Sequence, residues 1–405
     1  MQRRQALRML PGLPALCMPG ISAARPACVA PHPQQPAASG IEEVTVVPSM
    51  LVWGPGGSWI VGTAGAQALP AGLPPVAVAG ALWAAGDDGQ VRRWQAPAAG
   101  TSGPPHWSIT ATYTIGAPVH ALAASKDGRH ALVAHGEQVT LVDANARLIK
   151  HYVGRDLART RRGAAGVLLA HAGRRSFVAA WPALGELWEI PLDPNAPPIH
   201  DGLVHDYRLG EALPSPGHLG VRRVPLGRSL LWVEFTDARV PWVAGRAEDG
   251  VAIVHLDVRR RIATLALPAA QPGAAALIET AEGWRWWLPA GDIVHVVDAA
   301  RWTVVESLQA PRGLLGLRAI GPSVWSFGAS GLQRWHDGAW RFLADVDWPV
   351  TAFEAGHGQH TRWLATTAPS ALLQLDADAV RLARLPLPEG ALIVGVAALD
   401  GPGAS

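Results

Sequence analysis

Seven short phrases in this chain repeat one pattern, in which a polar turn leads into an apolar strand that ends on a polar or acidic residue. They finish at Gln95, Asp143, Glu189, Asp257, Asp298, His336 and Asp376, at intervals of 48, 46, 68, 41, 38 and 40 residues. A recurrence of about 40–45 residues, with room for four short strands per unit, is what the blades of a β-propeller produce. Within one unit the order also fits. Val119 to Ala124 reads as an inner strand, Lys126-Asp127-Gly128-Arg129 as a tight turn, and His130 to Ala134 as the returning strand. The interval of 68 demands an insertion of roughly 25 residues against the blade length. The stretch 191–220 takes it, opening with Asp193-Pro194-Asn195-Ala196-Pro197-Pro198. An amino-terminal unit from Val44 to Ala64 brings the total to seven or eight blades. Eight is the reading adopted, with Leu392–Leu399 helping to close the ring. The expected fold is all-β, a single propeller over residues 41–401.

Composition agrees with stacked sheets. Blades bury both faces, so their strands need apolar side chains on both sides. Hydrophobic residues make up 49% and charged residues only 16%, the reverse of a disordered chain. The 44 Gly and 35 Pro are turn punctuation that long helices would not tolerate. Trp94, Trp188, Trp232, Trp335 and Trp363, among 18 tryptophans, are expected to fill the wedges between blades. The net charge of +2 comes with no basic block long enough to track a phosphate backbone, which excludes nucleic acid as the expected partner.

Residues 1–30 differ from the rest. Arg3, Arg4 and Arg8 precede an apolar run from Met9 to Ala24 that ends in small residues, the layout of an export signal. Arg3-Arg4-Gln5-Ala6-Leu7-Arg8 resembles a twin-arginine signal, with a Sec signal as the other route. Residues 31–40 read as a linker, and no later stretch reaches the length of a transmembrane span. The expected location is periplasmic. Cys17 and Cys28 both lie in the leader, so the mature chain has no disulfide framework.

Gly86-Asp87-Asp88-Gly89-Gln90-Val91-Arg92-Arg93-Trp94 resembles a WD40 repeat, and Ala290 to Val305 resembles a YVTN repeat. Phe177 to Asp193, His205-Asp206-Tyr207-Arg208-Leu209-Gly210-Glu211 and Val251 to Leu265 together resemble the eight-bladed haem-d1 propeller family. That family includes the d1 domain of cytochrome cd1 nitrite reductase and periplasmic relatives of the NirF and NirN type. The similarity spans about residues 115–310. It implies a d1-type haem at the mouth of the propeller, and a c-type cytochrome or a nitrite reductase as protein partner. His120 matches in blade position the histidine of NirF-type members, which makes it the implied iron ligand or proton-transfer group. The chain departs from the nitrite reductase at two points. Gln271-Pro272 stands where that protein has His-Pro, and no histidine lies in 230–234. No Cys-x-x-Cys-His is present for a c-type haem. The resemblance thus points to an accessory or maturation protein rather than a free-standing reductase.

The candidate cofactor residues are His120, His205, Arg208, His218, Arg222 and Arg223. The imidazole of His120 can ligate iron or carry a proton near neutral pH, and the arginines can fork onto carboxylates. The insertion gathers His200, His205, Arg208, Glu211 and His218 on one loop and is expected to act as a lid. The plainer reading of His120 is a strand histidine satisfied by backbone. His357 and His360 have metal-like spacing without a matching third ligand. No hydrolase elbow, phosphate loop or zinc-protease motif occurs, so nothing assigns an enzymatic reaction. The alternative function is a WD40-like interaction scaffold with no cofactor.

Overall fold

The computed structural model describes residues 49–62, 65–78, 80–96, 106–200, 214–226, 232–343, 348–355, 362–367, 370–376, 381–388 and 391–399. The leader, the linker, His205, Arg208, His357 and His360 lie outside them. Short apolar strands joined by tight turns pair with their neighbours in sequence and so build antiparallel meanders. Here they build eight four-stranded sheets, the blades of an eight-bladed propeller. The seven repeated phrases fall on the third strands, from Gln90–Gln95 and Gln138–Asp143 to Ser370–Leu375.

Blade 1 is built differently. Met50–Gly54, Gly57–Gly62 and Gly65–Ala68 take their innermost partner from the far end of the chain, where Gly395–Ala398 pairs antiparallel with Met50–Gly54. This strand lies within the predicted closing segment and locks the ring. In blades 2 to 8 the innermost strands are Val76–Val78, Val119–Ala124, Val167–His171, Trp232–Thr236, Ala276–Thr280, Leu314–Ile320 and Val350–Ala355.

Packing follows from closure. Eight apolar clusters fill the eight interfaces between neighbouring blades. Trp83, Trp181, Trp286, Trp325 and Trp363 sit on second strands and are essentially inaccessible to solvent. Each such side chain removes roughly 150–250 Å² from water, a stabilisation of about 4–6 kcal/mol on area alone. Trp94, Trp188 and Trp363 are buried as expected, whereas Trp335 is half-buried in an edge-to-face group with Trp287 and Trp340. Helix among the described residues amounts to short 3-10 turns such as Ala172–Arg174, and none is long or apolar enough to cross a membrane.

Candidate functional site at the channel mouth

Strand direction sorts the loops to two ends. In each blade the first and third strands run the same way, because both are antiparallel to the second. The end where innermost strands begin is called the front, and the end where they finish the back. His120 is the second residue of Val119–Ala124 and therefore lies at the front. The insertion leaves the third strand of blade 4, Glu186–Pro191, and rejoins at the fourth, Arg222–Pro225. Both junctions lie at the back. The lid expected over the His120 mouth thus has its roots at the opposite end.

The front mouth holds a cavity of about 510 Å³. Its apolar wall comes from Leu315, Phe327, Leu392 and Val394, and its charged groups are Arg246, Arg318 and Glu234. Gln271 and Glu234, at the two places where the resemblance leads one to expect histidines, are both on the wall. Arg246 Nε donates to Glu234 Oε1 at 2.7 Å, and Arg318 Nε lies 3.6 Å from Glu354 Oε2. The Gly273 N–H also approaches Glu234, at 3.4 Å. Burial pushes the Glu354 carboxyl up, against the pull of the Arg318 guanidinium. Arg318 in turn lies over the Phe327 ring at 5.4 Å.

His120 is exposed, and its Nε2 donates to the Ala165 carbonyl at 2.8 Å, in the segment leading into blade 4. That bond fixes the neutral tautomer and leaves Nδ1 as the lone-pair nitrogen. The backbone-satisfied reading and solvent access are therefore both realised. His135 and His151 in the same blade share the Thr140 hydroxyl, at 2.7 and 2.9 Å. Burial lowers the His135 pKa, helped by the charges of His151 and His120.

The other expected residues sit elsewhere. Arg222 and Arg223 belong to an outermost strand, roughly 14 Å from the innermost one at the usual strand spacing, so neither belongs to the channel mouth. As neighbours in a strand they point to opposite faces. Arg222 bonds the buried Glu189 at 2.8 Å, beside Arg174 at 2.6 Å and the Ser176 hydroxyl at 3.1 Å. Arg223 bonds Glu186 at 2.7 Å and the Arg155 carbonyl at 2.9 Å, and stacks over Trp188. His218 is at the back, beside Leu219, whose carbonyl ties the insertion to Lys150 and Tyr152 of blade 3. The structure therefore does not bring His120 together with His218, Arg222 and Arg223. The sequence reading missed Arg246, Arg318 and Glu354. For Arg318 and Glu354 the available signal was a lone charge inside an otherwise uncharged innermost strand, whereas Arg246 sits on a second strand and carried no such mark.

Closed eightfold stacking with a polar-lined central mouth defines the chain as an eight-bladed β-propeller. No family model and no curated protein matches its sequence. Among solved structures it is similar to the dihydro-heme d1 dehydrogenase NirN in complex with DHE. The TM-score is 0.65 at 17% identity, over 87% of this chain and 75% of that one. It also aligns with the C-terminal WD40 domain of Sif2 (TM-score 0.44, 10% identity, 78% and 82% covered) and with BamB from Moraxella catarrhalis (0.37, 14%, 79% and 95%). The NirN likeness agrees with the resemblance noted in the sequence at the level of fold.

Proposed function

We propose that this propeller holds a d1-type haem or a related tetrapyrrole in its front cavity, as an exported, periplasmic accessory protein of nitrite reductase maturation. The observation that carries the reading is the cavity itself. Its 510 Å³ falls within the range of cofactor sites, and it pairs an apolar wall with two guanidinium groups. A planar, carboxylated ring needs that combination. Leu315, Phe327, Leu392 and Val394 would cover its faces and exclude water. Arg246 and Arg318 would bind its carboxylates through forked, charge-assisted bonds. Gln271 and Thr351 line the same cavity and would orient polar substituents. His120 offers Nδ1 at the same end for iron ligation or for holding a proton. A bound haem would supply a redox-active iron. The fold neighbour that carries haem d1 in its name supports the same reading. A c-type cytochrome or the nitrite reductase itself would be the protein that meets this mouth.

The test is a visible titration of the purified protein with d1-type haem, beside Arg318→Gln and His120→Ala. A shifted Soret band whose titration weakens in Arg318→Gln supports the site. A band shape altered in His120→Ala assigns the ligand. No shift in the unmodified protein would overturn the proposal.

A further inference from the structure

The segment between blades 3 and 4, residues 154–163, is a built loop at the front end. Asp156, 7% exposed, anchors it. Its Oδ1 accepts the backbone N–H groups of Thr160 and Arg161 at 2.8 and 3.0 Å. Its Oδ2 accepts the Thr160 hydroxyl at 2.9 Å and Arg161 Nε at 3.1 Å. These donors, led by the Arg161 N–H, draw the carboxyl down to about 2. The base is closed by an Arg155–Arg162 bridge, by the Gly163 N–H on the Gly154 carbonyl, and by Arg223 on the Arg155 carbonyl. Gly154 is obligatory there, since a Cβ would stand 2.2 Å from both the Gly163 oxygen and the Trp181 ring.

This scaffold holds outward what a chain normally hides. Leu157 is 64% exposed, and Val153 and Ile149, which share one face of the outer strand Leu148–Val153, are exposed as well. Arg161 and Arg162 are more than half exposed, and Arg159 is fixed with φ at 59°, a backbone region unfavourable for its side chain. Arg159, Arg161 and Arg162 are all exposed, and the neighbouring carboxylates are Asp156, paired with Arg161, and Glu137, paired with Arg162. Ala165, two residues beyond the loop, is the residue that holds His120, so this patch adjoins the channel mouth.

We propose that the 154–163 loop and the adjoining outer strand of blade 3 form a docking surface for an acidic protein. Such a partner would present carboxylates to Arg159, Arg161 and Arg162 around an apolar contact that covers Leu157 and Val153. Charge complementarity selects this occupant, and the form of the charge favours protein over lipid. All the loop cations are guanidinium forks, which match carboxylates in pairs. A single rigid leucine projects from the loop, whereas membrane attachment draws on a broad apolar face. Among the described residues no strand pairs with the outer edge of Leu148–Val153, which further suits an extended peptide segment. The inference stands independently of haem binding.

The test measures binding of a fluorescent peptide of alternating Glu and Leu, its Gln-for-Glu counterpart, and phosphatidylglycerol vesicles. Each is titrated with unmodified protein and with Arg159→Glu/Arg162→Glu. Both side chains lie outside the Asp156 network, and an unchanged melting temperature checks that the fold persists. The expected result is binding of the acidic peptide alone, weakened about tenfold or more by the double reversal and by high salt. Binding indifferent to the reversal, absence of peptide binding, or capture by the vesicles in place of the peptide would each overturn the proposal.

Discussion

The two arginines of the front cavity are already paired, so their contribution to ligand binding is a difference between two partners. Arg318 lies 3.6 Å from Glu354, in a partly desolvated position that still leaves 37% and 39% of the two side chains open to water, so the pair is partly screened although the carboxyl is pushed up. Such a pair contributes about 0–1 kcal/mol. A charge-assisted bond to a bound carboxylate contributes about 1.5–3 kcal/mol. Arg318→Gln should therefore weaken tetrapyrrole binding by about 1–2 kcal/mol, or roughly 5–30-fold. Arg246 is held more firmly by Glu234, at 2.7 Å with the carboxylate mostly covered, so Arg246→Gln should cost less. Glu354→Gln should act in the opposite sense, tightening binding by up to about fivefold, because it removes the competitor for Arg318. The pH dependence follows. Burial raises the Glu354 carboxyl, so as pH rises through its folded value the anion forms and reclaims Arg318. Affinity should fall across that window, by at most about tenfold per pH unit for one proton, and the fall should vanish in Glu354→Gln. The same raised value means that the group's contribution to folding is complete below the ordinary carboxylate range and lost as pH rises through the folded value. Spectral titrations of the three variants at several pH values decide the matter. Weaker binding by Glu354→Gln, or a greater loss from Arg246→Gln than from Arg318→Gln, would refute the competition argument.

Other consequences concern the frame. Glu189, 2% exposed, accepts bonds from Arg174, Arg222 and Ser176, so Glu189→Ala should cost about 3 kcal/mol in urea unfolding. Arg222→Ala should cost less, since Arg174 still holds the carboxylate. Gly154→Ala should open the 154–163 loop and speed tryptic cleavage after Arg159 and Arg161, which limited proteolysis followed by mass spectrometry would detect. Truncation after Leu387 removes Gly395–Ala398 and leaves Met50–Gly54 without its inner partner. The chain should then lose its cooperative thermal transition, and a retained sharp transition would show that the ring does not depend on this closure.

The fold was legible in the sequence because each blade repeats the same physical demand. A third strand lies inside the sheet and packs against blades on both faces, so Gln138–Asp143 and Ile293–Asp298 both set apolar residues around one polar residue at the third position and end on an aspartate. Ring closure was also legible, since the last phrase needs one more strand to complete its own blade, Arg381–Pro386, and a strand beyond that one has the first blade left to pair with. The site was much less so. Dense titratable residues drew attention to the insertion, yet strand parity puts its roots at the back and Arg222 on an outermost strand. The cavity wall is assembled from the front ends of separate blades. Glu234 and Arg318 are therefore far apart in the chain although they line one space. What links them is placement. Trp232–Thr236, Ala276–Thr280, Leu314–Ile320 and Val350–Ala355 are innermost strands, and each carries one charged residue in an otherwise uncharged run: Glu234, Glu279, Arg318 and Glu354. A lone charge in a strand packed on both sides is expensive, unless one edge of the strand faces water. In a closed propeller the innermost strand has such an edge, along the channel. Of these, Glu234 and Arg318 line the cavity and Glu354 pairs with Arg318, so once the blade register is known lone charges on innermost strands point to the site, and the arginine among them marks where a carboxylate can be held.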